Sequence, residues 1–208
     1  MKIGILGSGN VGQVLAKGFL AEGHEVFLAT RDTGSEKADM LRTNIEGAYV
    51  CSFADAAKQC ELAVLCTPWV TAADALKSAD AVVNLHGKVL IDANNVVDRS
   101  GEVPVYGMPE GSAAQEIQRW LPETKVVKAF NTVGANMMYK PQLSATPTMF
   151  IAGDDEDAKK QVSDIITSFG WEPLDNGPLV ASRELEAMVV IWLRNAAING
   201  RDHAFKML

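Results

Sequence analysis

The sequence predicts an α/β protein: a doubly wound, mostly parallel sheet with a small α/β C-terminal extension. Short apolar runs alternate with stretches of helical periodicity, which is typical of a parallel sheet with helices on both faces. The runs Ala-Val-Leu-Cys at 63–66 and Val-Leu-Ile-Asp at 89–92 are almost continuously apolar, as strands buried on both faces are. A glycine-rich turn follows the first apolar run and opens a helical stretch.

The predicted elements alternate along the chain. Strands are expected at 3–6, 25–29, 48–51, 62–66, 88–92 and 125–130, with helices between them at 10–22, 35–42, 53–59, 72–82 and 113–120. Strands at 148–152 and 171–174 and helices at 156–169 and 183–197 complete the chain. Residues 94–111 combine prolines and glycines without periodicity and are predicted to form a long loop.

Composition excludes several functional classes. The 208 residues carry a net charge of −7 without a cluster of Lys and Arg, which disfavours a nucleic-acid partner. The longest apolar stretch, near 188–193, is too short to span a bilayer, so no membrane partner is expected. The N-terminal apolar run stops at glycines without a cleavage site, which predicts a cytoplasmic protein. Cys51, Cys60 and Cys66 form no Cys-x-x-Cys motif, which favours buried thiols and no metal site.

The glycine-rich turn reads Gly7-Ser8-Gly9-Asn10-Val11-Gly12, a GxGxxG pattern. Its position between an apolar strand and an amphipathic helix makes it a dinucleotide fingerprint. Gly7 permits the tight turn, Gly9 lets the backbone approach a pyrophosphate, and Gly12 lets the helix lie close to the strand. Because the helix N-terminus offers N–H groups and a positive dipole end to phosphates, all six residues are predicted to bind a dinucleotide on a Rossmann fold. The alternative is a glycine turn without a ligand.

The end of the second strand predicts which dinucleotide binds. NAD proteins place an acid there, whereas NADP proteins place a small hydroxyl and an Arg. Thr30 and Arg31 come first after the apolar run and predict NADP, since a guanidinium pairs well with a 2′-phosphate. Asp32 keeps NAD open, because a shift of one residue places its carboxylate in the selecting position. Arg31 as an ordinary solvated charge is the remaining alternative.

More candidates follow the fourth strand, at the carboxyl edge of the sheet where doubly wound folds bind ligands. They are Cys66, Thr67, Pro68 and Trp69. Pro68 stiffens the turn. Trp69 either walls the cofactor cleft or is an ordinary core aromatic.

The next two strands end in further candidate ligands. Asn94 is placed for a hydrogen bond to a ribose or a carboxamide. Ala129 lies at the end of the sixth strand and Asn131 directly after it, and both are predicted to hold the carboxamide, with Thr132 and Met137 on the acceptor side. The alternative for Asn131 is a cap of the following turn.

Together these segments resemble the family of F420-dependent NADP oxidoreductases, whose relatives include the oxidoreductase domains of the STEAP metalloreductases. The matching segments are the glycine fingerprint, Thr30-Arg31, Leu65-Cys66-Thr67-Pro68-Trp69, Ile91-Asp92-Ala93-Asn94-Asn95, Gly111-Ser112-Ala113-Ala114-Gln115-Glu116, Val127-Lys128-Ala129-Phe130-Asn131-Thr132 and Gly177-Pro178-Leu179. The resemblance implies an NADP-binding Rossmann domain at 1–140, an extension at 141–208 packed on the same sheet, pro-S hydride transfer from NADPH, and a homodimer. The apolar run at 187–193 either serves that dimer or closes the core of a monomer.

The predicted function is hydride transfer between NADPH and a deazaflavin (F420) or flavin acceptor. No catalytic residue is assigned, because the reactive chemistry of such a transfer belongs to the two cofactors. Asn94-Asn95 stands where members of the family carry Asn-Pro, which leaves the acceptor open. Two alternatives remain: an NADPH-dependent flavin or ferric reductase, and a non-catalytic NADP-binding or sensing module.

Overall fold

Strands and helices alternate along most of the chain in the computed structural model, which describes residues 1–108 and 110–208. They form two compact units, one of Met1–Ile91 with Trp120–Thr124, the other of Asp92–Arg119 with Lys125–Leu208. The boundary at 140/141 that the sequence suggests stays a prediction. None of the helices in the described part of the chain is both long and apolar enough to cross a lipid bilayer.

The first unit carries five strands and the helices that connect them. The strands are β1 (Lys2–Leu6), β2 (Glu25–Ala29), β3 (Tyr49–Cys51), β4 (Leu62–Leu65) and β5 (Val89–Asp92), whose last residue already belongs to the second unit. The helices are α1 (Asn10–Ala21), α2 (Glu36–Asn44), α3 (Phe53–Gln59), α4 (Ala72–Ser78) and α5 (Ala81–Asn84). The strand order is β5-β4-β1-β2-β3. Strand β1 pairs in parallel with β2 on one side and β4 on the other, so the chain changes direction across the sheet at β1, the point at which doubly wound folds bind ligands.

The core of the first unit explains why these segments are strands. Ile3, Ile5 and Leu6 of β1 are fully buried, and so is every residue of β4. Helix α1 buries Leu15 and Phe19, four residues apart on one face. Each such side chain contributes about 1.5–3 kcal/mol when it is fully buried, so the strand that carries the glycine turn is firmly held.

The helix predicted at 72–82 is wrong in one respect, because the structure has two helices there. Helix α4 ends at Ser78, and α5 begins at Ala81. Asp80 between them adopts a left-handed φ of 47°. Aspartate is one of the few residues that tolerate this conformation, which interrupts a helix without disturbing its apolar periodicity.

Among its described residues, the second unit contains five strands, three α-helices and two short 3-10 helices, at Ala135–Met137 and Leu179–Ala181. The strands are β6 (Val97–Asp98), β7 (Val105–Tyr106), β8 (Lys125–Lys128), β9 (Thr148–Gly153) and β10 (Glu172–Asp175), and the helices are α6 (Ala113–Trp120), α7 (Glu156–Ser168) and α8 (Ser182–Asn199). Strand β9 lies between β8, to which it is antiparallel, and β10, to which it is parallel. Strands β6 and β7 form a short antiparallel hairpin inside the segment that the sequence predicts as loop. Pro109 of that segment lies outside the described residues.

Candidate functional site

The turn between β1 and α1 has the geometry that the glycine fingerprint predicts. Gly7 has a φ of +136°, a conformation that L side chains rarely adopt. A Cβ atom on Gly12 would lie 1.8 Å from the carbonyl oxygen of Gly7, whereas a Cβ atom on Gly9 would meet no atom within 4 Å. A Cβ atom on Gly7 would lie 3.0 Å from the carbonyl oxygen of Cys66. The turn is therefore closed against Cys66 at Gly7 and against the helix at Gly12, and Gly9 leaves its outer side open to a ligand.

The N-terminus of α1 is available to an anion. Side chains of Ser35, Ser52 and Asp155 accept hydrogen bonds from the first turns of α2, α3 and α7. No described side chain does the same for α1, whose N-cap is Gly9 and whose first turn contains no acid. Uncapped N–H groups at the positive end of a helix dipole bind phosphate.

Beyond β2, the structure separates the roles of Arg31 and Asp32. Thr30 is buried, and Arg31 is exposed. The carboxylate of Asp32 accepts a hydrogen bond from the backbone N–H of Gly34 (2.9 Å), which makes it part of the turn before α2. Arg31 has no ion pair within the described residues. Its guanidinium is therefore free for an anionic ligand, while the competing carboxylate is already engaged.

The residues that follow β4 differ in their surroundings, and Pro68 among them is exposed. The thiol of Cys66 donates to the carbonyl oxygen of Gly7 (3.4 Å), and its burial raises its pKa to about 12. The hydroxyl oxygen of Thr67 is buried without a hydrogen-bond partner among the described residues. Trp69 is partly exposed and stacks on Trp120, with ring centroids 5.5 Å apart, so it is not a fully buried core aromatic.

The cysteines match the expectation of buried thiols only in part. All three are free, but only Cys60 is a buried residue. Cys51 lies on β3, the last strand of the first unit's sheet, and Cys66 lies just past a strand end, so both residues are partly exposed. Burial still raises the pKa of the Cys51 thiol to about 11, which leaves little of the reactive thiolate at neutral pH.

In the second unit, the amide groups of Asn94 and Asn131 have the same pattern of contacts. The Nδ2 of Asn94 donates to Oδ1 of Asp92 (2.8 Å). The Nδ2 of Asn131 donates to Oδ1 of Asn95 (3.1 Å) and to the carbonyl oxygen of Leu185 (2.8 Å). Both residues are buried, and the Oδ1 atom of each has no partner among the described residues. In both residues the Nδ2 donor is hydrogen-bonded within the protein, whereas the Oδ1 acceptor has no partner among the described residues.

Asn131 follows a residue with an unusual backbone conformation just beyond the end of β8. Phe130 is buried and has a φ of +59°, a left-handed value that costs a non-glycine residue about 1–3 kcal/mol. Strand β8 ends at Lys128, two residues earlier than the end at Phe130 that the sequence suggests. The N–H of Ala129 still donates to the carbonyl oxygen of Asp92 (3.2 Å). Thr132 and Met137 are both buried.

These orphaned polar atoms test whether the residues fit a dinucleotide. Across residues 1–108 and 110–208, the buried side-chain polar atoms without a partner are Thr67 Oγ1, Asn94 Oδ1, Asn131 Oδ1 and His203 Nε2. Three of the four belong to residues that the sequence predicts as cofactor ligands. A buried polar group left unpaired costs about 1–3 kcal/mol, so hydroxyl and amide donors of a ligand suit these acceptors. The residues present fit the predicted cofactor.

Sequence reasoning missed a buried ionic cluster in the second unit. The Nζ of Lys128 lies 2.8 Å from Oδ2 of Asp92 and 2.8 Å from Oε1 of Glu186, and all three side chains are fully buried. Burial alone lowers the pKa of Lys128, but the two carboxylates outweigh it and hold that pKa above its ordinary value. The signal available in the sequence was a charged residue inside each apolar run, Val-Val-Lys-Ala at 126–129 and Leu-Glu-Ala at 185–187.

Comparison with known proteins agrees with this geometry. The family model described as NADP oxidoreductase, coenzyme F420-dependent, matches residues 2–96. The crystal structure of a candidate F420-dependent NADP reductase from Arthrobacter sp. FB24 has a TM-score of 0.92 and 31% sequence identity, and the match covers 100% of this chain and 99% of that one.

Two curated relatives extend the comparison. The F420-dependent NADP reductase of Methanocaldococcus jannaschii is 29% identical over 206 residues, which is 93% of this chain and 91% of that protein. Metalloreductase STEAP3 of Rattus norvegicus is 28% identical over 187 residues, and the match takes in 90% of this chain but only 36% of that protein. By its likeness to the Arthrobacter protein over the full length of both, the chain belongs to the family of F420-dependent NADP oxidoreductases, which confirms the predicted Rossmann fold and an NADP-dependent oxidoreductase.

Proposed function

We propose that the protein transfers hydride between NADPH and a deazaflavin, coenzyme F420, or a flavin. The observation that carries the proposal is the pair of buried amide oxygens on Asn94 and Asn131, which are free while the amide donors beside them are engaged. The carboxamide of a nicotinamide and the hydroxyls of its ribose offer the donors that these oxygens lack. The relatives from Methanocaldococcus jannaschii and Arthrobacter, which match nearly the whole chain, favour F420 as the acceptor.

We assign the phosphates and the adenosine half of the cofactor to residues of the first unit. Backbone N–H groups of the turn bind the pyrophosphate, at Ser8, Gly9, Asn10, Val11 and Gly12. Gly7, whose own N–H donates to the carbonyl oxygen of Ile5 (3.2 Å), lets the turn approach the phosphates. Thr30 and Arg31 bind the 2′-phosphate, because Asp32 is committed to its own turn. The remaining contacts on this half come from Cys66, Thr67, Pro68 and Trp69, of which Thr67 has an unpaired buried hydroxyl.

We assign the nicotinamide half to Asn94, Ala129 and Asn131 of the second unit. When bound, NADPH supplies the hydride. The residues of this chain orient the ring and exclude water, and none needs to move a proton. The described ion pairs leave the buried Lys128 fully occupied by Asp92 and Glu186, which fits a site without an acid or a base.

A second candidate function follows from the likeness to STEAP3, which takes in 90% of this chain. In this function NADPH reduces a flavin, which passes electrons to ferric iron. The chain spans about a third of that relative's length. A homodimer and a cytoplasmic location belong to the proposal as well.

The test is turnover with NADPH deuterated at the transferred position. F420, FMN, FAD and ferric chelates are offered in parallel, and we expect label to appear on the ring carbon of reduced F420. Asn131→Ala should lower the rate constant more than it weakens NADPH binding, because a mispositioned ring loses transition-state stabilisation. Asn44→Ala, at the exposed end of α2, is the matched control.

Three results would contradict the proposal. Label lost to water from the deazaflavin product would show that a proton step intervenes. Consumption of NADPH only with flavin and ferric iron would favour the second candidate. A rate unchanged in Asn131→Ala would remove the assigned role of that amide.

A further inference from the structure

We propose that the buried ion pair of Lys128 and Asp92 is a positioning element that sets the orientation of the Asn94 amide towards the nicotinamide half of the cofactor. The proposal rests on the proposed function, in which Asn94 accepts a hydrogen bond from that half. Neither Lys128 nor Asp92 needs to contact the cofactor, and each acts through Asn94.

The first link joins Asn94 to Asp92. One carboxylate oxygen, Oδ1, accepts from both the backbone N–H of Asn94 (2.9 Å) and its Nδ2 (2.8 Å). These two bonds fix the peptide and the plane of the amide together. Because Nδ2 points at Asp92, Oδ1 of Asn94 is the atom left buried and unpaired.

The second link joins Asp92 to Lys128. The other carboxylate oxygen, Oδ2, lies 2.8 Å from the Nζ of Lys128. The same ammonium donates to the carbonyl oxygen of Asn94 (2.5 Å). Lys128 therefore holds both the carboxylate that orients the amide and the backbone that carries it.

The third link anchors Lys128 through Glu186. Its Oε1 lies 2.8 Å from Nζ, so the three donors of the ammonium meet three acceptors, on Asp92, Asn94 and Glu186. The carboxylate of Glu186 also accepts from the N–H groups of Ala113 (3.1 Å) and Ala114 (3.3 Å) at the start of α6. Two elements of the second unit, α8 and α6, thus fix the far side of the cluster.

A purely stabilising role explains the cluster less well. Desolvation of buried charges often cancels their attraction, and apolar replacements of a buried pair are often neutral or stabilising. Lys159 in the same unit is also buried and paired with two acids, Glu156 and Asp175, but those acids are exposed and lead to no orphaned atom. The Lys128 cluster instead holds Asn94, a predicted site residue whose Oδ1 acceptor is buried and unpaired.

The test compares Asp92→Asn and Lys128→Met with Lys159→Met as the matched control. Calorimetry measures the affinity for NADPH and for 2′-phospho-ADP-ribose, which lacks the nicotinamide. We expect both variants to bind the fragment as the wild type does and to lose roughly 2- to 10-fold in NADPH affinity, the worth of about one hydrogen bond. Hydride transfer to F420 should slow by roughly 10- to 100-fold, the effect of a small misplacement, while Lys159→Met keeps both the affinity and the rate.

Asp92→Asn carries the test if Lys128→Met does not fold, because the asparagine has the same shape and Lys128 keeps Glu186 as a partner. The proposal is overturned if Asp92→Asn retains the full advantage of NADPH over the fragment, or loses affinity for both equally. It is also overturned if the wild type binds NADPH no better than the fragment. A wild type that favours NADPH but does not reduce F420 contradicts only the proposed acceptor, and the affinity comparison still decides the role of the ion pair.

Discussion

Two neighbouring residues at the end of β2 differ in whether their side chains are engaged by the folded chain. Asp32 is tied to Gly34, whereas Arg31 is exposed and has no ion pair within the described chain. Sequence position alone places both side chains near the ribose. The engagement of the carboxylate is visible only in the folded turn, and it supports the proposed contact between Arg31 and a 2′-phosphate.

We therefore expect Arg31→Ala to weaken NADPH binding by about 1.5–3 kcal/mol, the value of a hydrogen bond to a charged group, and to leave NADH binding nearly unchanged. Titration of both cofactors by fluorescence measures the effect. Arg42→Ala is the control, since Arg42 is already paired with Asp39. Equal losses for the two cofactors, or a wild type that prefers NADH, would reassign selectivity to Asp32.

The sequence suggests candidate site residues but does not reveal the contacts between them and the rest of the chain. The glycines, Thr30-Arg31 and the asparagines stand in local patterns, where a strand end and a residue type suffice to suggest a ligand. Lys128 and Glu186 were missed, because they are 58 positions apart in the numbering and meet only through tertiary packing. The free acceptor of Asn131 depends likewise on Leu185, which no local pattern reveals.

At the scale of elements, side chains cap the N-termini of α2, α3 and α7, whereas α1 is among the helices without a side-chain cap. Asp155 caps α7 by accepting from the N–H of Ala158 (2.8 Å) and also pairs with Lys125 (3.0 Å). The hydrogen bond from Ala158, together with Lys125, lowers the pKa of Asp155 below its ordinary value of 3.8. The folded state thus favours the carboxylate form.

The stabilisation from Asp155 should depend on pH in a defined direction. A carboxyl group whose pKa is lower in the folded state contributes fully above its unfolded pKa and loses that contribution as the pH falls through its folded pKa. We expect Asp155→Ala to cost about 0.5–2 kcal/mol at neutral pH, as loss of an N-cap does. Denaturant unfolding should show this difference shrinking in acid, below the ordinary pKa of 3.8.

Asp155→Asn separates the cap from the charge, since asparagine caps a helix without a negative charge. At neutral pH its loss of stability should be smaller than that of Asp155→Ala, and it should also shrink in acid, where the wild-type carboxylate is protonated. The difference in stability between Asp155→Asn and Asp155→Ala, which measures the uncharged cap, should be nearly independent of pH. A loss in Asp155→Ala that stays the same in acid would show that the charge of Asp155 has no part in the cap.

Elements themselves were predictable wherever the apolar period was strong. Strand β2 and helices α3 and α6 have the bounds that the sequence suggests. The break between α4 and α5 was not predictable from the sequence, because the apolar positions continue across Asp80 and only the φ angle of Asp80 reveals the interruption. The two-residue strands β6 and β7 are too short to produce an alternating pattern.

At the scale of the whole molecule, the two faces of α8 differ. Leu185, Val189 and Trp192 are buried in the second unit, so part of the apolar run closes that core. Ile191 and Ile198 lie on the same helix with 61% and 82% of their surface exposed. One helix therefore serves a core and also presents large apolar side chains to solvent.

If this exposed face joins two copies, Ile191→Glu combined with Ile198→Glu should convert a dimer of about twice 22.4 kDa into a species of 22.4 kDa. Sedimentation velocity at micromolar concentration makes the comparison. Val82→Glu, at an equally exposed position of α5, should leave the mass unchanged. A wild type that sediments at 22.4 kDa removes the dimer from the proposal.

The contact between the backbone of Gly12 and the carbonyl oxygen of Gly7 has a thermodynamic consequence for binding. That oxygen is confined by Gly12 on one side and accepts from the Cys66 thiol on another. The turn therefore loses its conformational freedom when the chain folds and not when a ligand arrives. Since ordering a loop is one of the largest costs of association, a phosphate that meets this turn needs only to displace water.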